Sequence, residues 1–183
     1  MTRTLDIVLS AAGLLITAPL LALLSLVGWR DTGSPLFRQE RVGRHQRPFV
    51  LYKFRTMRPE TPQVATHLVA AAAVTPFGGF LRRAKLDELP QLWNVLRGEM
   101  SLVGPRPCLF SQTELIQARE AQGIFNVRPG ITGLAQVKGV DMSDPVRLAT
   151  LDAEMLQRLT VQTYLRYIVW TATGRGAGDQ VRS

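Results

Sequence analysis

Asp87 and Glu88 stand side by side in Lys85-Leu86-Asp87-Glu88-Leu89-Pro90, with Arg82 before them and Arg106 after them in Gly104-Pro105-Arg106-Pro107. Group transfer at a diphosphate ester needs cations to neutralise the phosphates, oxygen ligands for a divalent metal, and a nucleophile in line with one phosphorus. This stretch supplies a candidate for each. The Asp87 carboxylate could attack and form an acyl phosphate. Glu88 could help to bind Mg²⁺ or orient the attack. Arg82 and Arg106 could clamp phosphate oxygens bidentately, with Lys53 and Arg55 extending the clamp. A plainer reading stays open, because carboxylates are favoured at a helix N-terminus and arginines near acids form structural ion pairs. Adjacent helical residues point about 100° apart, so spacing alone does not force both carboxylates into one site.

Local signals indicate the elements that must hold these residues. Thr75-Pro76 reads as an N-cap followed by proline in the first turn, starting a helix over 76–84 that carries Arg82. Pro90 is tolerated only in a first turn. A helix after it, with Leu89, Leu92, Trp93 and Leu96 as its apolar face and Gly98 as its stop, puts Asp87 and Glu88 at or just before its N-terminus. Leu36–Gln39 and Phe49–Phe54 look extended and are joined by the polar Gly43-Arg44-His45-Gln46, so a small β-hairpin is expected to carry Lys53. His45 reads as a solvated turn residue, and Arg41, Arg44 and Arg47 as basic groups drawn to anionic headgroups.

Beyond Pro107 the expectations are a helix over 110–122 ending at Gly123, an extended segment from Ile131 to Val137, and a helix capped by Ser143-Asp144-Pro145 that reaches Leu159. Residues 161–173 are apolar and aromatic, fitting either the core or a membrane surface, with core packing the simpler assignment. Residues 59–74 read as a mobile connection or short helix, and 174–183 as a flexible tail.

The first thirty residues read differently. From Ile7 to Trp29 no residue is charged, and as a helix this run could cross the roughly 30 Å hydrocarbon core of a bilayer. A cleaved signal is disfavoured by its length and thin basic lead. Pro19 removes one backbone donor near the middle and should bend the helix. Arg3 precedes the run, while Arg30, Arg38, Arg41, Arg44 and Arg47 follow it, so the positive-inside rule draws both flanks toward the cytoplasm. On the residues alone, a re-entrant helix-break-helix and a straight span are both open.

The 183 residues suffice for one domain with a core. A formal charge of +8 favours acidic partners: nucleic acid, anionic lipid or phosphorylated substrates. Cys108 is the only cysteine, which excludes an internal disulfide and reads as an inert thiol.

Taken together, Tyr52–Met57 (YKFRTM), Leu86–Pro107 (LDELPQLWNVLRGEMSLVGPRP) and Arg128–Gly139 (RPGITGLAQVKG) resemble the bacterial sugar transferase family, the monotopic polyprenyl-phosphate phosphoglycosyl transferases, in their short form. The resemblance implies a two-step reaction. The aspartate matching Asp87 attacks the sugar-bearing phosphate of a UDP-sugar, UMP leaves, and polyprenyl (undecaprenyl) phosphate collects the phosphosugar. It also implies Mg²⁺ at Asp87 and Glu88, phosphate-binding roles for Arg82 and Arg106, and a helix broken near Pro19 that re-enters one leaflet. Three positions depart from the family pattern: Val140 replaces a common arginine, Ala18 a serine before Pro19, and Met155 a tyrosine.

The expected protein is therefore α+β, mainly helical and monotopic: a membrane hairpin over 1–30, a catalytic domain over 31–173 with a small β-hairpin and amphipathic interfacial helices, and a tail. It would sit on the cytoplasmic face of the bacterial inner membrane, against anionic lipid, with a homodimer left open and no nucleic acid partner. Two rivals remain on composition. A nucleic-acid-binding module would bind with strong salt dependence, and a non-catalytic basic membrane scaffold would keep its function after Asp87→Asn.

Overall fold

Apolar side chains over most of a 31-residue stretch favour a helix whose backbone groups are satisfied internally, and the computed structural model, which describes residues 2–62 and 71–173, forms it. Helix α1 runs Thr2–Thr32, unbroken through Pro19. Pro19 has no N–H to donate to the carbonyl of Leu15, and the helix continues across that missing bond. The hydroxyls of Thr17 and Ser25 donate back to the carbonyls of Gly13 and Leu21, both at 2.7 Å, so neither leaves an unmatched polar group on the apolar surface.

Both ends of α1 are tied to the rest of the molecule. Near the start, Arg3 donates to the carbonyls of Val95 and Leu96 at 2.6 and 2.9 Å. Asp6, 1% exposed, accepts from Ser101 Oγ, Leu102 N and the Tyr164 hydroxyl through one oxygen, Oδ1. Near the end, Leu24 is buried with Phe54 and Leu81, and Thr75 Oγ1 donates to Asp31 Oδ2 at 2.7 Å. Between these anchors Leu15 and Ile16 are more than three-quarters exposed.

The expected hairpin is present. Strands β1 (Leu36–Val42) and β2 (Pro48–Phe54) pair antiparallel, from Leu36 opposite Phe54 to Val42 opposite Pro48. The connection carries exposed His45 in the left-handed region, as a turn residue. Arg41 corrects the headgroup expectation. It is 9% exposed and donates to Pro107 O and Gln39 Oε1, because the alternation of β1 turns it inward. Arg44 is exposed but donates to Asn126 O.

Thr75 caps α2 (Pro76–Arg83), its hydroxyl accepting from Gly78 N at 2.9 Å. A short 3₁₀ turn, Leu86–Glu88, leads into α3 (Gln91–Arg97), which stops at Gly98 in the left-handed region. The buried face of α3 is Gln91, Asn94 and Val95. Trp93, expected inside, is half exposed. The Asn94 amide explains the difference, because it donates to Val50 O and Glu99 Oε2 and accepts from Tyr52 N. It thereby hydrogen-bonds α3 to the edge of the hairpin.

Strand β3 (Ser101–Val103) pairs in parallel with β4 (Gly130–Thr132). The extended segment expected from Ile131 to Val137 stops early: Gly133 ends the strand, and α5 covers Leu134–Val137. Helix α4 (Thr113–Glu120) lies between the strands in sequence. Helix α6 (Pro145–Gln157) is capped by Asp144, and α7 (Val161–Ala172) by a Thr160–Thr163 capping box. Tyr164 and Tyr167 of α7 are buried with Phe49, Leu51, Met100 and Val103, while Leu165 and Val169 face outward. The molecule is mainly helical with a small antiparallel hairpin. Residues 63–70, half of the connection expected over 59–74, and all of the tail expected over 174–183 lie outside the described residues.

Candidate active site

Lys85 adopts φ +55°, a left-handed conformation rare for a side chain of this size. It turns the chain from α2 into the Leu86–Glu88 turn, which packs against both α2 and β2. Asp87 is buried there at 6% exposure. One oxygen of Glu88, Oε1, accepts from Arg106 Nη2 at 2.7 Å and Lys53 Nζ at 3.2 Å. All three side chains are at most one-fifth exposed, so the pairing is screened less than a surface one.

Of the four predicted phosphate-binding cations, the structure brings Lys53 and Arg106 onto Glu88. Arg82, in the last turn of α2, donates to Thr56 Oγ1 at 2.9 Å, just past the end of β2. The close approach of α2 to this point depends on Gly78, where a Cβ would lie 2.1 Å from Thr56 O. Arg55 goes elsewhere, donating to Ser34 O at 3.1 Å and lying over the Phe37 ring, at the junction of α1 and β1. Lys53 and Arg106 thus meet the turn bearing two carboxylates, and Arg82 stands at the end of the helix that packs on it, a polarity suited to an anionic substrate.

The loop carrying Arg106 is held from behind. Gly104 N donates to Thr132 O and Gly130 N to Pro105 O, at 2.9 and 2.8 Å. Arg119 Nη1 donates to Arg106 O at 2.8 Å, and Arg41 Nη1 to Pro107 O at 3.1 Å. Arg119 also forks onto Asp152 Oδ2 at 3.0 and 2.7 Å. Burial pushes the Asp152 carboxyl up from its ordinary range against the opposing pull of Arg119. It pushes the Cys108 thiol up as well, again against Arg119 and Arg41. A fully buried thiol with so little thiolate fits an inert role. Arg41 and Arg119 carry no mark in the sequence that separates them from surface charges.

The three blocks that resembled a known family converge here. Tyr52–Met57 ends β2 and reaches Thr56; Leu86–Pro107 spans the acidic turn, α3, β3 and the Arg106 loop; Arg128–Gly139 forms β4 and α5 beside that loop. The family model for bacterial sugar transferases matches residues 1–175. The chain belongs to the bacterial sugar transferase family.

This sugar transferase is 46% identical over 143 residues to a UDP-glucose:undecaprenyl-phosphate glucose-1-phosphate transferase of Caulobacter vibrioides, covering 75% of this chain and 54% of that one. It is 40% identical over 154 residues to an undecaprenyl-phosphate galactose phosphotransferase of Salmonella typhimurium, covering 75% and 32%. It is 37% identical over 174 residues to the exopolysaccharide production protein ExoY of Rhizobium meliloti, covering 85% and 76%. The chain thus spans about half of the first relative, a third of the second and three-quarters of the third.

Helix α1, with a mean hydropathy of 2.4 over its most apolar stretch, is long and apolar enough to cross a membrane. That helix and the family together support a membrane location. Val140 packs against the buried cluster of Cys108, Leu115 and Leu148. Arg147 is exposed in the first turn of α6.

Proposed function

We propose that the chain transfers a phosphosugar from a UDP-sugar to polyprenyl (undecaprenyl) phosphate, as the first membrane step in building a surface glycan. The observation that carries the reading is the buried Asp87 beside a Glu88 held by Lys53 and Arg106, in a chain that resembles transferases acting on undecaprenyl phosphate. An Asp87 oxygen attacks the sugar-bearing phosphorus. The bond from that phosphorus to the bridging oxygen breaks, and UMP leaves with the electron pair. A polyprenyl phosphate oxygen then attacks the same phosphorus and releases the Asp87 carboxylate. Arg106, Lys53 and Arg82 neutralise the diphosphate, and Glu88 fixes the first two.

Asp87 and Glu88 would hold Mg²⁺. Two adjacent carboxylates suit a hard ion that takes few protein ligands and completes its shell with water and substrate phosphate. When bound, the ion supplies further charge neutralisation at the diphosphate.

The two ends of α1 support a monotopic reading. They are tied to one globular body through Arg3 and Asp6 and through Asp31. A straight span would carry one end across about 30 Å of hydrocarbon and away from that body. On this reading residues 1–30, a continuous helix from Thr2 in the structure, keep both ends at one leaflet as a re-entrant membrane segment, with Pro19 the point at which the helix can bend. The basic domain over 31–173 faces the cytoplasm and anionic lipid, where UDP-sugars are available.

The test is Mg²⁺-dependent UMP release from a panel of UDP-sugars with undecaprenyl phosphate, comparing the protein with Asp87→Asn. Release with one sugar, abolished in the variant, is expected. A folded protein that releases UMP from none of them overturns the reading.

A further inference from the structure

Arg119 and Asp152 are 2% and 1% exposed, and they meet through two hydrogen bonds on a single oxygen. The other oxygen of Asp152 is buried without a hydrogen-bond partner among the described residues. A buried ion pair repays its desolvation poorly, and apolar residues of similar size often hold a core as well or better. Stapling α4 to α6 is therefore a weak reason for these charges. The third bond from Arg119, to the carbonyl of Arg106, supplies a better one.

The loop in question is unusual in its handles. Prolines at 105 and 107 donate no N–H, and each restricts the residue before it to extended backbone. Gly104 and Arg106 are those residues. Such a loop cannot be secured as an ordinary strand ladder, and it presents carbonyls. Arg119 takes the one on Arg106, and Arg41 takes the next one along, on Pro107. In the opposite direction the Arg106 guanidinium reaches Glu88.

We propose that Arg119, oriented by Asp152, is a positioning residue that fixes the Arg106 backbone so that the Arg106 guanidinium is aimed at Glu88 and the donor diphosphate. The inference rests on the transferase reading above for its substrate, and on geometry alone for the clasp.

The test pairs Arg119→Met with Asp152→Leu, which removes both buried charges together and keeps the site filled. Two quantities are read in the folded protein in micelles: the rate at which phenylglyoxal modifies Arg106, followed by peptide mass, and the KM for each substrate in UMP release. Arg106 is expected to react several-fold faster than in the parent. The KM for the UDP-sugar is expected to rise ~10-fold or more, as displacement of a positioning group produces, with the KM for undecaprenyl phosphate unchanged. Arg106→Lys, costly in the parent, should then add little. A merely structural role would lower the active fraction and leave both KM values and the Arg106 reactivity alone, and that result overturns the proposal.

If the double variant does not fold, Arg119→Lys serves, since an ammonium keeps the charge opposite Asp152 but lacks the planar fork needed to hold carboxylate and carbonyl together. The same readouts and the same overturning result apply. If the parent itself releases no UMP, the transferase reading fails, and the clasp stands or falls on Arg106 reactivity.

Discussion

Gly104 and Gly130 meet backbone to backbone: a Cβ built on Gly130 would lie 2.0 Å from Gly104 N and 2.5 Å from its Cα. This crossing joins β3 and β4 and delivers the Arg106 loop to the acidic turn. The obstacle is main chain, so no side-chain rotation relieves it. Gly130→Ala is expected to cost at or above the upper end of the roughly 1–3 kcal/mol typical of overpacking. Gly79→Ala inside α2, where the nearest atom is 3.5 Å away, should be neutral or gain about 0.5–1 kcal/mol. Thermal unfolding of the two variants in the same micelles makes the comparison.

Glu88→Gln keeps the shape of the side chain and removes the charge that gathers Arg106 and Lys53. UMP release should fall ~100-fold or more, the scale of losing one preorganised electrostatic contact. The circular dichroism spectrum should not change. Activity near the parental value would remove Glu88 from the site.

Asp6→Ala would leave the Ser101 hydroxyl, the Leu102 amide and the Tyr164 hydroxyl without their shared acceptor. Each buried orphan costs about 1–3 kcal/mol. Denaturant unfolding should show a loss of several kcal/mol, and hydrogen exchange should quicken at Leu102. Asp6→Asn retains an acceptor oxygen and should lose less.

Burial, and then the hydrogen bond and charge of Asp6, push the Tyr164 phenol far above its ordinary value of 10.0. Because the folded value is the higher one, the stabilisation is complete below about pH 10 and is lost as pH climbs toward the folded value. Unfolding free energy should therefore decline with pH above 10, and the decline should be shallower in Tyr164→Phe. Absorbance at 295 nm should show one of the three tyrosines ionising only as the protein unfolds.

Punctuation residues were the legible part of the fold. Thr75-Pro76, Gly98, Gly123 and Asp144-Pro145 stop or start helices where their own backbone chemistry demands it. Asp87, Glu88, Lys53 and Arg106 stood out because acidic and basic residues were concentrated in blocks with a family likeness. Arg55 belonged to one of those blocks, yet its side chain turns to Ser34. Asp6, Asn94 and Arg119 could not be picked out, since the partners that bury them lie up to 158 residues away in the chain. Trp93 faces outward because Asn94, polar in sequence, is satisfied inside. Ile131–Val137 alternates like a strand until Gly133 ends it.

The bond between Asp6 and Tyr164 also sets an order of events during synthesis. The two are 158 residues apart, and at roughly 5–20 residues per second a ribosome takes on the order of ten seconds or more to make the second after the first. For that interval α1 has emerged without the acceptor's main partner, its apolar side chains exposed and its buried carboxylate still open to water. The contact that closes α7 over α1 thus forms last, once residue 164 has been made.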